Sequence, residues 1–274
     1  MSRCFLIKSA FLCLLFFQFT WAMGYDVYPS GAAFAGLSNS AVAVTGLWSI
    51  SHNQAGLANL NGFSGGVYQE QRFLLKELGL SALALALPVK PGTLGMDYSY
   101  FGYSKYHESQ AGICFAKMLG KKFSAGIKID YFSTFISNDY NRYTRVSFET
   151  GFLAYLTEKL SVGFHLFNPF PSKTNPNDKS YLPSIANLGI AYKLYEKLMF
   201  TAETEKDYKL SPVYKAGVEF TAANQLFLRA GINTEPSSYS FGLGYSISHL
   251  TIDMAFSNHQ VLGLTPHFSL TYQL

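Results

Sequence analysis

Charge is scarce in this 274-residue chain, where only 14% of residues are Asp, Glu, Lys or Arg. A water-soluble domain usually carries roughly a quarter, so an ordinary hydrated surface is not expected. Cysteine is nearly missing. Cys4 and Cys13 fall in a segment read below as a leader, and Cys114 then stands alone, which excludes an internal disulfide or a zinc framework. No stretch of about 20 apolar residues follows Ala22, so no helical membrane span follows it either. The net charge of +4 is scattered, with no basic cluster for nucleic acid. His52, His107, His165, His249 and His259 lie without metal-ligand spacing. His267 and Ser269 stand at His-x-Ser spacing on the last strand, with no acidic residue adjacent in sequence. These absences argue against an enzyme, a metal site and a cofactor.

Aromatic residues, by contrast, reach 16%, with 24 Phe and 19 Tyr. Hydrophobic residues make up 49% of the chain, yet the mean hydropathy is only +0.10. Strands that alternate apolar and polar residues average to such a value. The first 22 residues read as a signal peptide. Arg3 and Lys8 give its positive start, Phe11 to Phe19 its apolar core interrupted by Gln18, and Thr20-Trp21-Ala22 a cleavage site after Ala22. An exported chain without a later helical span can enter a membrane only as a closed barrel, because lipid offers no partner to exposed backbone groups.

From Phe63 to Leu274 the pattern is strand after strand, each near the ten-residue length that crosses a bilayer at a tilt. The first is read near 63–72 and the last near 264–274. Leu250, Ile252, Met254 and Phe256 alternate with Thr251, Asp253, Ala255 and Ser257. Phe268, Leu270, Tyr272 and Leu274 alternate likewise with His267, Ser269, Thr271 and Gln273. A soluble β-sandwich has the same alternation with its apolar face inside. Two features favour the barrel. Short connections (Pro88–Pro91, Leu119–Lys121, Thr157–Lys159, Tyr195–Lys197, Ala222–Asn224, Ser248–His249) tend to alternate with longer ones (Phe135–Asn141, Asn168–Pro183, Asn258–Gly263). The last strand also runs to the final residue, like the terminal signal read by outer-membrane assembly machinery, though it ends in Leu274 rather than an aromatic. The fold expected is all-β: a transmembrane antiparallel barrel of about fourteen strands with a small N-terminal plug. Its parts are a signal peptide over 1–22, a plug segment over 23–62 and the barrel over 63–274.

The plug reading rests on a stretch of small residues without strand alternation. It opens at Ser30-Gly31-Ala32-Ala33-Phe34-Ala35-Gly36 and continues through Trp48-Ser49-Ile50 to Asn53-Gln54-Ala55-Gly56-Leu57-Ala58. A Gly-Ala-rich start, then a variant of Asn-Pro-Ala-Gly-Leu-Ala with Gln54 in place of Pro, then alternating strands, resembles the outer-membrane family of FadL and PorV. The resemblance implies a fourteen-stranded barrel, plugged by its N-terminal segment, in the outer membrane of a Gram-negative-type bacterium. It also marks Asn53, Gln54, Ala55, Gly56 and Leu57 as the plug motif. This chain is much shorter than typical members, so extracellular loop functions do not carry over.

With the apolar faces outward, Asp97, Lys128, Asp130, Arg145, Glu149, Glu203, Lys215, Glu219, Arg229 and Asp253 face the lumen. Glu205 falls on the same side. Both signs occur together, which suits ion pairs around a plug better than a selectivity ring. Asn53 and Gln54 are the expected anchors of the plug, and the charged side chains its expected partners. Two functions stay open. One is a FadL-like channel for hydrophobic small molecules, with Gly-rich strands as places where a kink could open the wall. The other is a PorV-like non-enzymatic adaptor or shuttle for protein secretion; a mainly structural barrel remains an alternative to both. The implied partners are membrane lipid, a hydrophobic small-molecule substrate and secretion-system proteins.

Overall fold

In the computed structural model, residues 28–137, 141–170 and 182–274 are described. The leader read over 1–22, with Cys4 and Cys13, lies outside them, as do parts of the 135–141 and 168–183 connections. Fourteen strands follow the plug: β1 (Ser64–Gln71), β2 (Gly79–Val89), β3 (Gly92–Tyr103), β4 (Tyr106–Met118), β5 (Phe123–Ile136), β6 (Asn141–Tyr155), β7 (Leu160–Phe167), β8 (Ile185–Tyr195), β9 (Leu198–Asp207), β10 (Val213–Ala223), β11 (Leu226–Thr234), β12 (Ser237–Ile247), β13 (Leu250–His259) and β14 (Gly263–Gln273). Each pairs antiparallel with its sequence neighbours, and β1 pairs with β14 to close the barrel. Val67 of β1 stands opposite Leu83 on one side and Leu270 on the other. Closure leaves no edge whose unpaired N–H and C=O groups would meet lipid.

The wall obeys the period-two rule with its apolar face outward. Ile113, Ile127, Phe148, Leu188, Phe241, Leu243 and Ile252 are exposed, while the alternate positions are buried toward the interior. A sandwich would bury those side chains. Their exposure on a closed sheet is what a bilayer solvates, so the barrel spans a membrane. Tyrosines crowd both ends of the belt: Tyr131, Tyr214 and Tyr239 near one, Tyr192, Tyr245 and Tyr272 near the other. Their polar tips suit the water interface and their rings suit the acyl boundary.

The chain enters through a compact segment inside the barrel. Helix α1 (Ala32–Ala35) is followed by 3-10 turns at Leu47–Ser51 and Gln54–Asn59. Asn53 starts the last turn, its side-chain oxygen accepting from Ala55 N at 3.2 Å. Gly31 precedes α1 at φ 112°, and a Cβ there would meet the Trp48 side chain. Only glycine combines that backbone with that neighbour.

Candidate functional site in the barrel lumen

The plug sits in a seat made of residues with little or no side chain. Inward glycines recur on strand after strand: Gly95 on β3, Gly126 on β5, Gly151 on β6, Gly163 on β7, Gly217 on β10, Gly231 on β11 and Gly242 on β12. They line up through the register. Gly126 pairs with Gly151, Gly163 with Gly189 and Gly217 with Gly231. A Cβ at Gly126 would lie 2.8 Å from Ala55 N, at Gly217 2.9 Å from Leu37 Cβ, and at Gly242 3.1 Å from Gly36 Cα. At the first two something would have to shift, and at Gly242 the neighbour would have to give by a few tenths of an ångström. The Gly-rich strands, expected as places where the wall could kink, therefore serve a different end here. They remove side chains so that plug backbone can lie directly on barrel backbone.

Polar contacts then fix the plug's orientation. Glu203 Oε2 accepts from Ala41 N at 2.9 Å and Val42 N at 2.8 Å. Ser240 Oγ accepts from Ser38 N at 2.9 Å and donates to Gly36 O at 3.0 Å. Ser124 and Ser161 donate to Ala55 O and Ala43 O, and Trp48 Nε1 donates to Thr271 Oγ1 at 3.0 Å. Asn53 Nδ2 bridges Val42 O at 2.7 Å and Phe152 O at 3.1 Å, and Gln54 Nε2 reaches Gly126 O at 3.4 Å. Among these bonds, Glu203 is the lumen charge that reaches plug backbone; the rest come from hydroxyls and strand carbonyls. Small neutral groups can sit where a glycine seat leaves no room for long charged side chains. His52, in the plug, has its imidazole pushed down to about 3 by burial and by the Lys215 charge. Its Nε2 lies 3.3 Å from Ser30 O.

Between the seat glycines the lumen is knitted by charge. Lys128 Nζ lies 3.1 Å from Asp97, 3.0 Å from Asp130 and 3.7 Å from Glu149, and is itself only 1% exposed. His165 Nε2 adds a 3.0 Å contact to Glu149, and Gln110 donates to Asp130 at 2.8 Å. Lys215 bridges Glu203 and Glu205 at 3.4 and 2.6 Å, with Asn187 donating to both. Arg229 joins Glu219 at 2.6 Å to Asp253 at 2.7 Å. Arg145 is buried on the inward face of β6, opposite Phe132 of β5. Sequence reading gave no lumen role to His165, Gln110 and Asn187, whose one local signal is their inward parity. Charges of both signs meet at every node, so the lumen is not a single-sign filter.

His267 and Ser269, neighbours on one face of β14, do not act together. Ser269 Oγ accepts from Ala32 N of the plug at 3.3 Å. Among the described residues, no group of three or more His, Cys, Asp or Glu could hold a metal ion. Cys114 is buried and free.

Apolar material gathers on one side. Tyr28, Phe34, Trp48, Leu57, Leu80 and Phe101 form a buried cluster between the plug and the wall of β1–β4. Outside that wall, a groove of about 540 Å³ runs over β13, β14 and β1–β3, lined by Val67, Leu83, Ile252, Met254, Phe268 and Leu270. The groove exists because the outward face of β1 is thin, offering Gly65, Val67 and Gln69 between larger neighbours.

No protein-family model and no curated protein matches the sequence. The fold does match solved structures. The Ralstonia pickettii toluene transporter TbuX is 10% identical with a TM-score of 0.68, the match covering 91% of this chain and 99% of that one. A Pseudomonas aeruginosa FadL homologue is 13% identical, with a TM-score of 0.67 and the same coverage. The Pseudomonas putida toluene transporter TodX is 12% identical, at 0.64 over 91% and 99%. At such identities the likeness speaks for architecture. This chain has the FadL-type β-barrel fold, closed by fourteen antiparallel strands around its own N-terminal segment.

Proposed function

We propose that the protein is an outer-membrane channel for hydrophobic small molecules. The observation that carries this reading is the pairing of apolar surfaces across one stretch of wall. The buried cluster of Phe34, Trp48, Leu80 and Phe101 lies inside β1–β4, and the apolar groove lies outside β1–β3. Most of the paired charges centre on other strands, at Lys128, Lys215 and Arg229, and a greasy solute would have to desolvate them. A hydrophobic molecule is therefore guided along the β1–β4 side. The kinship in fold with toluene transporters and a FadL homologue supports the same class of solute. On this reading the plug in its glycine seat closes the lumen, and passage requires movement of the plug or separation of strands.

Proteoliposomes containing the purified barrel test the reading. Influx of a radiolabelled long-chain fatty acid or of toluene should exceed that of protein-free vesicles, while a sugar of similar mass gains nothing. Equal influx with and without protein would defeat it. A second reading, a non-enzymatic adaptor for secreted proteins, draws on exposed apolar side chains in the longer connections: Leu74, Leu75, Val261 and Leu262. Under that reading, polar replacements at these four positions abolish partner capture and leave solute influx untouched.

A further inference from the structure

Where the sequence paired His267 with Ser269, the barrel pairs it with a serine on another strand. Ser257 Oγ of β13 lies 2.8 Å from His267 Nε2 of β14. His267 Nδ1 lies 2.8 Å from the hydroxyl of Tyr68 on β1, which donates to Glu70 Oε2 at 2.8 Å. Glu70 Oε2 is itself 3.7 Å from His267 Nδ1, and Arg72 Nε donates to the other carboxylate oxygen at 2.6 Å. Three strands meeting at the closure seam thus build one continuous relay. From this geometry we infer that Ser257 is an activated nucleophile and that the outer lumen carries an ester-hydrolysing site.

The direction of the hydrogen bonds makes the case. Both Glu70 oxygens act as acceptors, so Tyr68 spends its single proton on Glu70. Its oxygen must then accept, and the only proton His267 can offer there is on Nδ1. That fixes the neutral tautomer with a lone pair on Nε2, facing the Ser257 hydroxyl. This is the arrangement a general base needs: nucleophile and base in hydrogen-bond reach, with the base oriented by a third group. Ser257 stays partly exposed, two residues from the end of β13, whereas Tyr68, Glu70 and His267 are buried. The turn above it is strained: Phe73 and Leu74 stand at φ 54° and 60°, with Phe73 N donating to Thr265 Oγ1, directly across from Ser257. Stored strain of that kind clusters at functional sites.

In the reaction, Ser257 Oγ attacks the carbonyl carbon of a carboxylic ester while its proton passes to His267 Nε2. The carbonyl electrons move to oxygen and return as the bond to the alkoxide breaks, and His267 gives its proton to the leaving alcohol. Water from the lumen mouth then attacks the acyl-serine in the same way, releasing the carboxylic acid and restoring Ser257. Tyr68 and Glu70 are positioning residues. This activity lies beyond transport and does not depend on it.

The test is a fluorophosphonate probe, with p-nitrophenyl butyrate as substrate, applied to the folded full-length protein in detergent. Mass spectrometry should place the probe on Ser257, and Ser257→Ala should lose both labelling and turnover. His267→Gln should slow labelling by roughly 100-fold or more, the usual share of a general base. Tyr68→Phe should keep labelling but alter its pH profile, which a merely structural tyrosine would not. Heat-modifiability on gels establishes that each variant is folded. Should His267→Gln fail to fold, modification of the wild-type histidines with diethyl pyrocarbonate must block the probe instead. An unlabelled Ser257 in folded protein, or labelling indifferent to His267, overturns the proposal.

Discussion

Two kinds of inward position in the same lumen hold it together in opposite ways. Around the plug, the wall offers Gly126, Gly151, Gly217, Gly231 and Gly242, and contact is made by shape. Between those glycines, the wall offers Lys128, Asp130, Glu149, Lys215, Arg229 and Asp253, and contact is made by charge. Shape complementarity between backbones has no range, so it fixes position and leaves nothing to reorganise. Charge pairs reach further and tolerate small shifts, but each buried ion depends on its partner. The lesson is that one barrel can hold an insert by subtraction of side chains and brace its own walls by addition of them.

The largest effect should come from breaking a charge node. Lys128→Met leaves Asp97, Asp130 and Glu149 crowded without their cation and should cost about 3–5 kcal/mol, read as a lower denaturation midpoint in detergent. Adding Asp130→Asn should recover part of that loss; no recovery would mean Lys128 stabilises through packing of its stem instead. Next comes the outer wall. Met254→Arg puts a cation into the lipid belt at about 2–4 kcal/mol, whereas Ser238→Arg, which opens into the lumen mouth, should assemble nearly as wild type. Equal assembly of both in outer-membrane fractions would reverse the assignment of faces.

The seat should respond more gently but more specifically. Gly151→Val drives a side chain into Asn53 and Gln54, at about 1–3 kcal/mol for overpacking. The barrel should still insert, while Trp48 fluorescence shifts as the plug is displaced and planar-bilayer conductance rises. Unchanged conductance would mean the plug does not seal the lumen. The smallest effect concerns pH. His52 titrates near 6.5 when undocked and only about 3 when docked. The docked plug therefore binds fewer protons below pH 6.5, so its hold is full above that value and weakens steadily as pH falls toward 3. Trp48 fluorescence followed from pH 7 to pH 4 should show this, and His52→Gln should flatten it.

Much of the fold was legible without coordinates, because alternation is local. Met254 and Phe256 against Asp253 and Ala255 declare two faces from four consecutive residues, whatever the rest of the chain does. The lack of such alternation over Gly31–Ala58 set that stretch apart just as locally. The inward glycines were also within reach, since most strands carry one at lumen parity, but nothing in a single strand says what the missing side chain makes room for. Strand by strand they suggest kinks; the plug lying against them shows what room they make.

What the sequence determined by itself, then, is the two-faced strand, its length, its outward grease and the non-strand start of the chain. Each follows from interactions a residue makes with its solvent and its near neighbours. Tertiary structure alone decided the rest: that β1 joins β14, that Gly231 meets Leu37, and that Tyr68 meets His267 across 199 residues. Those meetings depend on strand register and on closure of the sheet. Both are settled by summed backbone pairing around the whole barrel, and no local pattern of residues encodes that sum.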